Sequence, residues 1–153
     1  MKILSLAALL LFSLIFVSEA KRIPRCEMVR ILKKAGLDRY RGYRLENWIC
    51  MAYYGSKFNS GAVQGPNRNG SMDYGMFQIN SRWWCSNGKG KTANGCRTSC
   101  SKFVDDDIRD DILCAKRIVR NRKWRMNAWL SWRRYCKGRN LSHWTKGCQL
   151  SLP

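Results

Sequence analysis

Five carboxylates crowd into seven residues at Asp105, Asp106, Asp107, Ile108, Arg109, Asp110 and Asp111, in a chain of 29 Lys and Arg against 10 Asp and Glu. Like charges this close repel, and a fold keeps them together when something cationic is held among them. A bound divalent metal is the chemistry this spacing suggests. The second reactive set is eight cysteines, at 26, 50, 85, 96, 100, 114, 136 and 148. An even number in a short exported chain implies four disulfides, although counting alone leaves the pairing open. A zinc site competes poorly, because Cys96 and Cys100 have no matching second pair and the sole histidine is His143.

The elements that position these groups follow a leader. Residues 1–20 read as a secretory signal, with Lys2 ahead of the apolar run Ile3 to Val17 and small residues Ser18 and Ala20 before the cleavage point. What remains, residues 21–153, suits one domain. No other stretch is long enough to span a bilayer. Lys2 and Glu19 leave together, so the net charge stays at +19. Such a charge keeps copies apart and favours a monomer. It also favours polyanionic partners such as bacterial envelopes and acidic glycans, with no specific nucleic acid implied.

Pro24 suits a first helical turn, and Cys26, Val29, Leu32 and Lys33 follow at helical spacing to about Lys34, where Gly36 stops the helix. A second helix is expected from Leu45 to about Tyr54, with Trp48, Ile49, Ala52 and Tyr53 as its apolar face. Gly, Asn, Ser and Pro then punctuate residues 55–71, and Asn69 Gly70 signals a hairpin, so a small antiparallel sheet is expected over roughly Ala62 to Ile79. Asn69 and Asn140 also open glycosylation sequons. Ile108, Ile112, Leu113, Ala115 and Val119 define a third helix that opens inside the acidic run, whose acids also complement the helix dipole. A fourth is expected from about Arg125 to Tyr135, carrying Trp129 and Trp132. The fold class is therefore α+β, helices plus a small antiparallel sheet stapled by disulfides.

Several local sequences carry a family resemblance: Tyr40 Arg41 Gly42 Tyr43, Asn47 Trp48 Ile49 Cys50, the run from Asp73 Tyr74 Gly75 to Trp83 Trp84 Cys85, and Cys114 Ala115 Lys116 Arg117 Ile118 Val119. In these motifs, and in cysteine order and spacing, the chain resembles the C-type lysozymes and their sister group, the α-lactalbumins (glycoside hydrolase family 22). That resemblance implies a lysozyme-like fold, with a helical lobe and a small β-lobe. It also implies one pairing: Cys26 with Cys148, Cys50 with Cys136, Cys85 with Cys100, and Cys96 with Cys114.

Glycosidases of this family work with two carboxyl groups about 5 to 5.5 Å apart, one a proton donor and the other a nucleophile or charge stabiliser. Asp73 matches the second. The first should stand five residues after Cys50, where this chain has Gly55. Tyr54, Ser56 and Lys57 are poor substitutes, since the task needs an acid tuned near neutrality. Muramidase activity is therefore expected to be absent or residual. Gln78, Asn80, Trp83, Trp84, Ala128 and Trp129 match positions that line the family's saccharide groove.

The acidic run resembles the calcium loop of α-lactalbumins and calcium-binding lysozymes. Carried over, the side chains of Asp105, Asp110 and Asp111 and the backbone carbonyls of Lys102 and Asp107 would be ligands, an all-oxygen set suited to Ca²⁺. Arg109 is a departure, a positive charge within the loop, expected to point outward with modest effect. The expectation is a secreted, cationic, calcium-binding protein that binds bacterial envelopes or GlcNAc-type glycans with little or no cleavage and has an antibacterial effect. The alternatives are an active bacteriolytic hydrolase and an α-lactalbumin-like regulatory subunit of a galactosyltransferase. The positive charge disfavours the latter, since α-lactalbumins are acidic.

Overall fold

The structure, a computed structural model, describes residues 21–150, so the leader expected over 1–20 lies outside the described residues. Helix α1 spans Arg25–Lys34, with Pro24 just ahead of it in an extended conformation, and buries Met28, Val29 and Leu32. Its end is a Schellman motif: Gly36 at φ 81° lets the Gly36 amide reach the Lys33 carbonyl and the Leu37 amide reach that of Leu32. Helix α2, Leu45–Ser56, runs slightly past its expected end and stops where Lys57 turns left-handed. Gly55 therefore sits in the last turn of α2. Trp48, Ile49 and Ala52 are fully buried, as their spacing requires.

The sheet is smaller than the span 62–79 suggested. Strands β1 (Val63–Gln64), β2 (Asp73–Tyr74) and β3 (Ile79–Asn80) pair antiparallel in the order β1-β2-β3. Asn69 and Gly70 do turn the chain, with Gly70 at φ 81°, but they lie within a long loop 65–72 rather than a two-residue hairpin. Between β2 and β3 the turn is tight, closed by the Gln78 amide on the Gly75 carbonyl at 3.1 Å.

A short 3₁₀ turn, Cys100–Phe103, leads through the acidic run into helix α3, Arg109–Val119. That helix buries Ile112, Ala115, Ile118 and Val119, whereas Leu113 faces solvent. The expected fourth helix is broken. A 3₁₀ turn covers Arg125–Ala128, Trp129 is extended at φ −99° and ψ 120°, and helix α4 covers only Leu130–Tyr135. Tertiary contacts override local propensity here. The Trp129 indole turns into the core, donating from Nε1 to the Phe77 carbonyl at 2.9 Å and meeting Trp48 edge-on. A last 3₁₀ turn covers Ser142–Trp144.

One core unites α1, α2, α3 and α4 with the underside of the sheet, where Met76, Phe77 and Ile79 are buried. Four disulfides pin it: Cys26–Cys148, Cys50–Cys136, Cys85–Cys100 and Cys96–Cys114, the pairing implied by the resemblance. No free cysteine occurs among the described residues. No helix among them is long and apolar enough to cross a membrane.

Candidate functional site

A groove of about 1350 Å³ separates the helices from the sheet, and Gly55, Asp73, Gln78, Asn80, Trp83, Trp84, Ala128 and Trp129 all line it. Residues spread over 75 positions of sequence numbering thus meet on one surface, because β2, β3 and the loop after them form one wall while α2, the turn before α4 and α4 itself form the other.

Asp73 is held by its neighbours. The register pairs it directly with Asn80, whose Nδ2 donates to Asp73 Oδ1 at 2.8 Å, and Asn67 Nδ2 donates to Oδ2 at 3.1 Å. Two amides fix the orientation of its carboxylate. Asn80 therefore positions Asp73 and also reaches Ser71 Oγ at 2.9 Å. Gln78 is similarly engaged, its Nε2 donating to the carbonyls of Ala62 and Gly75. Asn67 was not foreseen, although it follows from a hairpin that folds loop 65–72 back beside Asp73.

Opposite stands Gly55, whose carbonyl accepts from Gln64 Nε2 at 3.0 Å. None of its neighbours is placed to act as a proton donor. Ser56 is buried, its hydroxyl between the carbonyls of Ala52 and Met76. The Lys57 ammonium lies over the Tyr53 ring, and Tyr54 stacks on Tyr135 at 4.4 Å. Asp73 is the only carboxylate among the described residues that line the groove.

The tryptophans divide by exposure. Trp83 is 54% exposed, with the Arg82 guanidinium over its ring at 4.6 Å, and it presents a free face for stacking. Trp84 is half-buried and lies so close to Gly95 that a Cβ there would come within 2.7 Å of its ring. Trp129 and Trp132 are both buried, Trp132 donating to Asn47 Oδ1 at 2.9 Å. Tyr54, Arg68, Lys123, Trp124, Arg133, Arg134 and Tyr135 complete the rim, and their surface spacing carried no motif by which the sequence could have revealed them.

The acidic run is less uniform than its sequence. Asp107 pairs with Arg109, Nη2 to Oδ2 at 2.6 Å, and this hydrogen bond holds the exposed Asp107 carboxyl down to about 2. Asp105 Oδ1 accepts from the Asp107 amide at 3.1 Å, and Asp105, Asp110 and Lys102 are exposed. Asp111 differs. It is 1% exposed, and neither carboxyl oxygen has a hydrogen-bond partner. Burial, with Asp105 and Asp110 adding like charge, pushes it up to about 8, although the Asp111 and Met76 backbone groups oppose the rise without making hydrogen bonds. Among the described residues no three His, Cys, Asp or Glu side chains converge into a metal cluster. The donor chemistry still fits a hard cation at one point: a buried carboxylate with both oxygens unpartnered. Gly75, at φ 78°, closes over it, since a Cβ there would lie 1.8 Å from the Phe103 carbonyl oxygen and 2.7 Å from Asp111 Oδ2. The glycine of the Asp73 Tyr74 Gly75 motif thus joins the groove wall to the acidic loop.

Known proteins share this fold. A family model described as the C-type lysozyme/alpha-lactalbumin family matches residues 21–148. The milk isozyme of lysozyme C from Canis lupus familiaris is 50% identical over 130 residues, covering 85% of this chain and 100% of that one. Lysozyme-like protein 2 of Homo sapiens is 49% identical over 134 residues, 88% of this chain and 89% of that one. A crystal structure of lysozyme from Equus asinus superposes with a TM-score of 0.81 at 48% identity, covering 85% of this chain and all of the other. Sequence and backbone agree, and the chain belongs to the C-type lysozyme/alpha-lactalbumin family.

Proposed function

We propose that this protein is a secreted, cationic, lysozyme-like protein that holds bacterial-envelope or GlcNAc-type saccharides in its groove with little or no cleavage. One observation carries the reading: among the described residues Asp73 is the only carboxylate in the groove, and Gly55 stands where the family places its proton donor. Cleavage of a glycosidic bond needs an acid to protonate the departing oxygen, and general acid catalysis contributes about 10² to 10⁴ in rate. Binding does not need it. The exposed Trp83 face can stack on a sugar ring, and the amide-held Asp73 can accept from its hydroxyls. A net charge of +19 adds attraction to anionic envelopes, so an antibacterial effect does not depend on catalysis. Four disulfides suit an oxidising, extracellular setting.

The same proposal includes a structural Ca²⁺. Asp111 would provide its buried carboxylate, with Asp105, Asp110 and the carbonyls of Lys102 and Asp107 as further oxygen ligands. The ion would supply the countercharge that the buried Asp111 carboxylate otherwise lacks.

Wall lysis and oligosaccharide binding, measured in parallel on residues 21–153, test the reading. Chitohexaose should shift tryptophan fluorescence while wall suspensions stay turbid. Clearing at the rate of an ordinary lysozyme would establish the hydrolase alternative instead, and an unchanged signal at millimolar chitohexaose would remove the binding claim. Stimulation of lactose synthesis by a galactosyltransferase would establish the regulatory alternative.

A further inference from the structure

The groove is lined by four cations, Arg68, Lys123, Arg133 and Arg134, against the single carboxylate of Asp73. All four are exposed, and none has a carboxylate partner, since the only ion pair among the described residues is Arg109 with Asp107. They stand on both walls: Arg68 on loop 65–72, Arg133 and Arg134 on α4, and Lys123 beyond α3, its ammonium over the Trp124 ring at 5.2 Å. Beside the two α4 arginines, Tyr54 and Tyr135 stack nearly parallel at 4.4 Å and 13°, each about two-fifths exposed at 42% and 43%. Gly55 lies next to Tyr54, so the position that would have placed a second negative charge at this end of the groove carries none. Asp73 is already paired with two amides and offers the weaker repulsion of a hydrogen-bonded charge.

We infer that the groove selects anionic oligosaccharides, whose carboxylate or sulfate groups pair with Arg133, Arg134, Arg68 and Lys123 while their rings stack on Tyr135, Trp124 and Trp83. This rests on the reading that the groove binds saccharide, and it names the class. Planar guanidinium groups bind carboxylate and sulfate oxygens through two parallel N–H donors, and aromatic faces are indifferent to charge on the ring edge. A neutral chitin oligomer uses only the second of these contacts.

The test compares three hexasaccharides, chitohexaose, unsulfated chondroitin and chondroitin sulfate, by tryptophan fluorescence at physiological salt, with chitohexaose also used as competitor. The anionic probes should bind about tenfold or more tightly than chitohexaose and be displaced by it. In R133Q/R134Q that preference should fall about tenfold, whereas R30Q/K33Q on the exposed face of α1 should leave it intact. Tighter binding by both anionic probes assigns a carboxylate, and tighter binding by the sulfated probe alone assigns a sulfate. Equal affinity for neutral and anionic probes overturns the inference and leaves saccharide binding standing. So does an equal loss in R133Q/R134Q and R30Q/K33Q, which would mean diffuse attraction to a +19 surface. If no hexasaccharide binds at all, the saccharide-binding reading itself falls, and this inference with it.

Discussion

Gly55 and Asp73 face each other across the groove with only one of them able to carry a proton, and that asymmetry is open to direct repair. In Gly55→Glu the new Cβ would lie 3.3 Å from Gln78 Cγ and 3.7 Å from Ser131 Oγ, so its nearest neighbours are side chains. Gln78 must yield by a few tenths of an ångström while keeping its hydrogen bonds to the Ala62 and Gly75 carbonyls. The cost should stay below about 1 kcal/mol and be offset by a similar gain in helix propensity at a position inside α2. The expected outcome is a melting temperature within a few degrees of the parent and wall clearing faster by about 10² or more. Adding Asp73→Asn should abolish the gain. Unchanged turbidity with an unchanged melting curve would show that Gly55 is not what keeps the groove from cutting. Both positions were legible in the sequence, because a short motif or a fixed offset from a cysteine marks each. Asn67 and the second role of Asn80 were not, since both depend on the register of a sheet whose strands are only two residues long.

At the scale of elements, the acidic loop and the start of α3 show how one sequence feature divides on folding. Five acids read alike in the sequence, yet Asp107 is tied to Arg109 in solvent while Asp111 is buried with both oxygens unpartnered. Burial is what composition cannot express. Without calcium, Asp111 titrates near 3.8 when unfolded and near 8 when folded, so between those values the folded chain holds a proton that the unfolded chain has lost. Stability contributed by this group is then full at low pH and lost as pH rises through 8. Calcium needs the ionised form, so its stabilisation should run the other way. Scanning calorimetry in EDTA should therefore give a lower melting temperature at pH 8 than at pH 5, and millimolar calcium should raise it much more at pH 8. Asp111→Asn should flatten both responses. Identical curves with EDTA and with calcium at pH 8 would remove the metal claim. The break at Trp129 follows the same rule: 3.6-residue periodicity across 125–135 was real, but the indole's partner is a carbonyl in the sheet, Phe77, far away in sequence.

For the whole molecule, cysteine counting implied a stapled domain and the family resemblance supplied the pairing. Neither showed how the bridges share the work of closing it. Cys26–Cys148 spans 122 residues and Cys50–Cys136 spans 86, the second nested inside the first, whereas Cys85–Cys100 and Cys96–Cys114 span 15 and 18. If each bridge acted alone, chain entropy would make the outermost the most stabilising, by about 2 kcal/mol over Cys85–Cys100. Nesting changes that. With Cys50–Cys136 intact, the outer bridge closes an effective loop of only roughly two dozen residues before Cys50 and a dozen after Cys136. Its advantage over Cys85–Cys100 then shrinks to on the order of 1 kcal/mol, each bridge contributing about 2 to 4 kcal/mol. Replacing Cys26 and Cys148 together by alanine should therefore lower the unfolding free energy, measured by guanidinium titration, only slightly more than replacing Cys85 and Cys100. Removing both nested bridges should cost more than the sum of the two single losses, because the first removal lengthens the loop that the second must close. Strict additivity of the nested pair would mean that the unfolded chain is already compact enough for loop length not to matter, and that these bridges act on the native state alone.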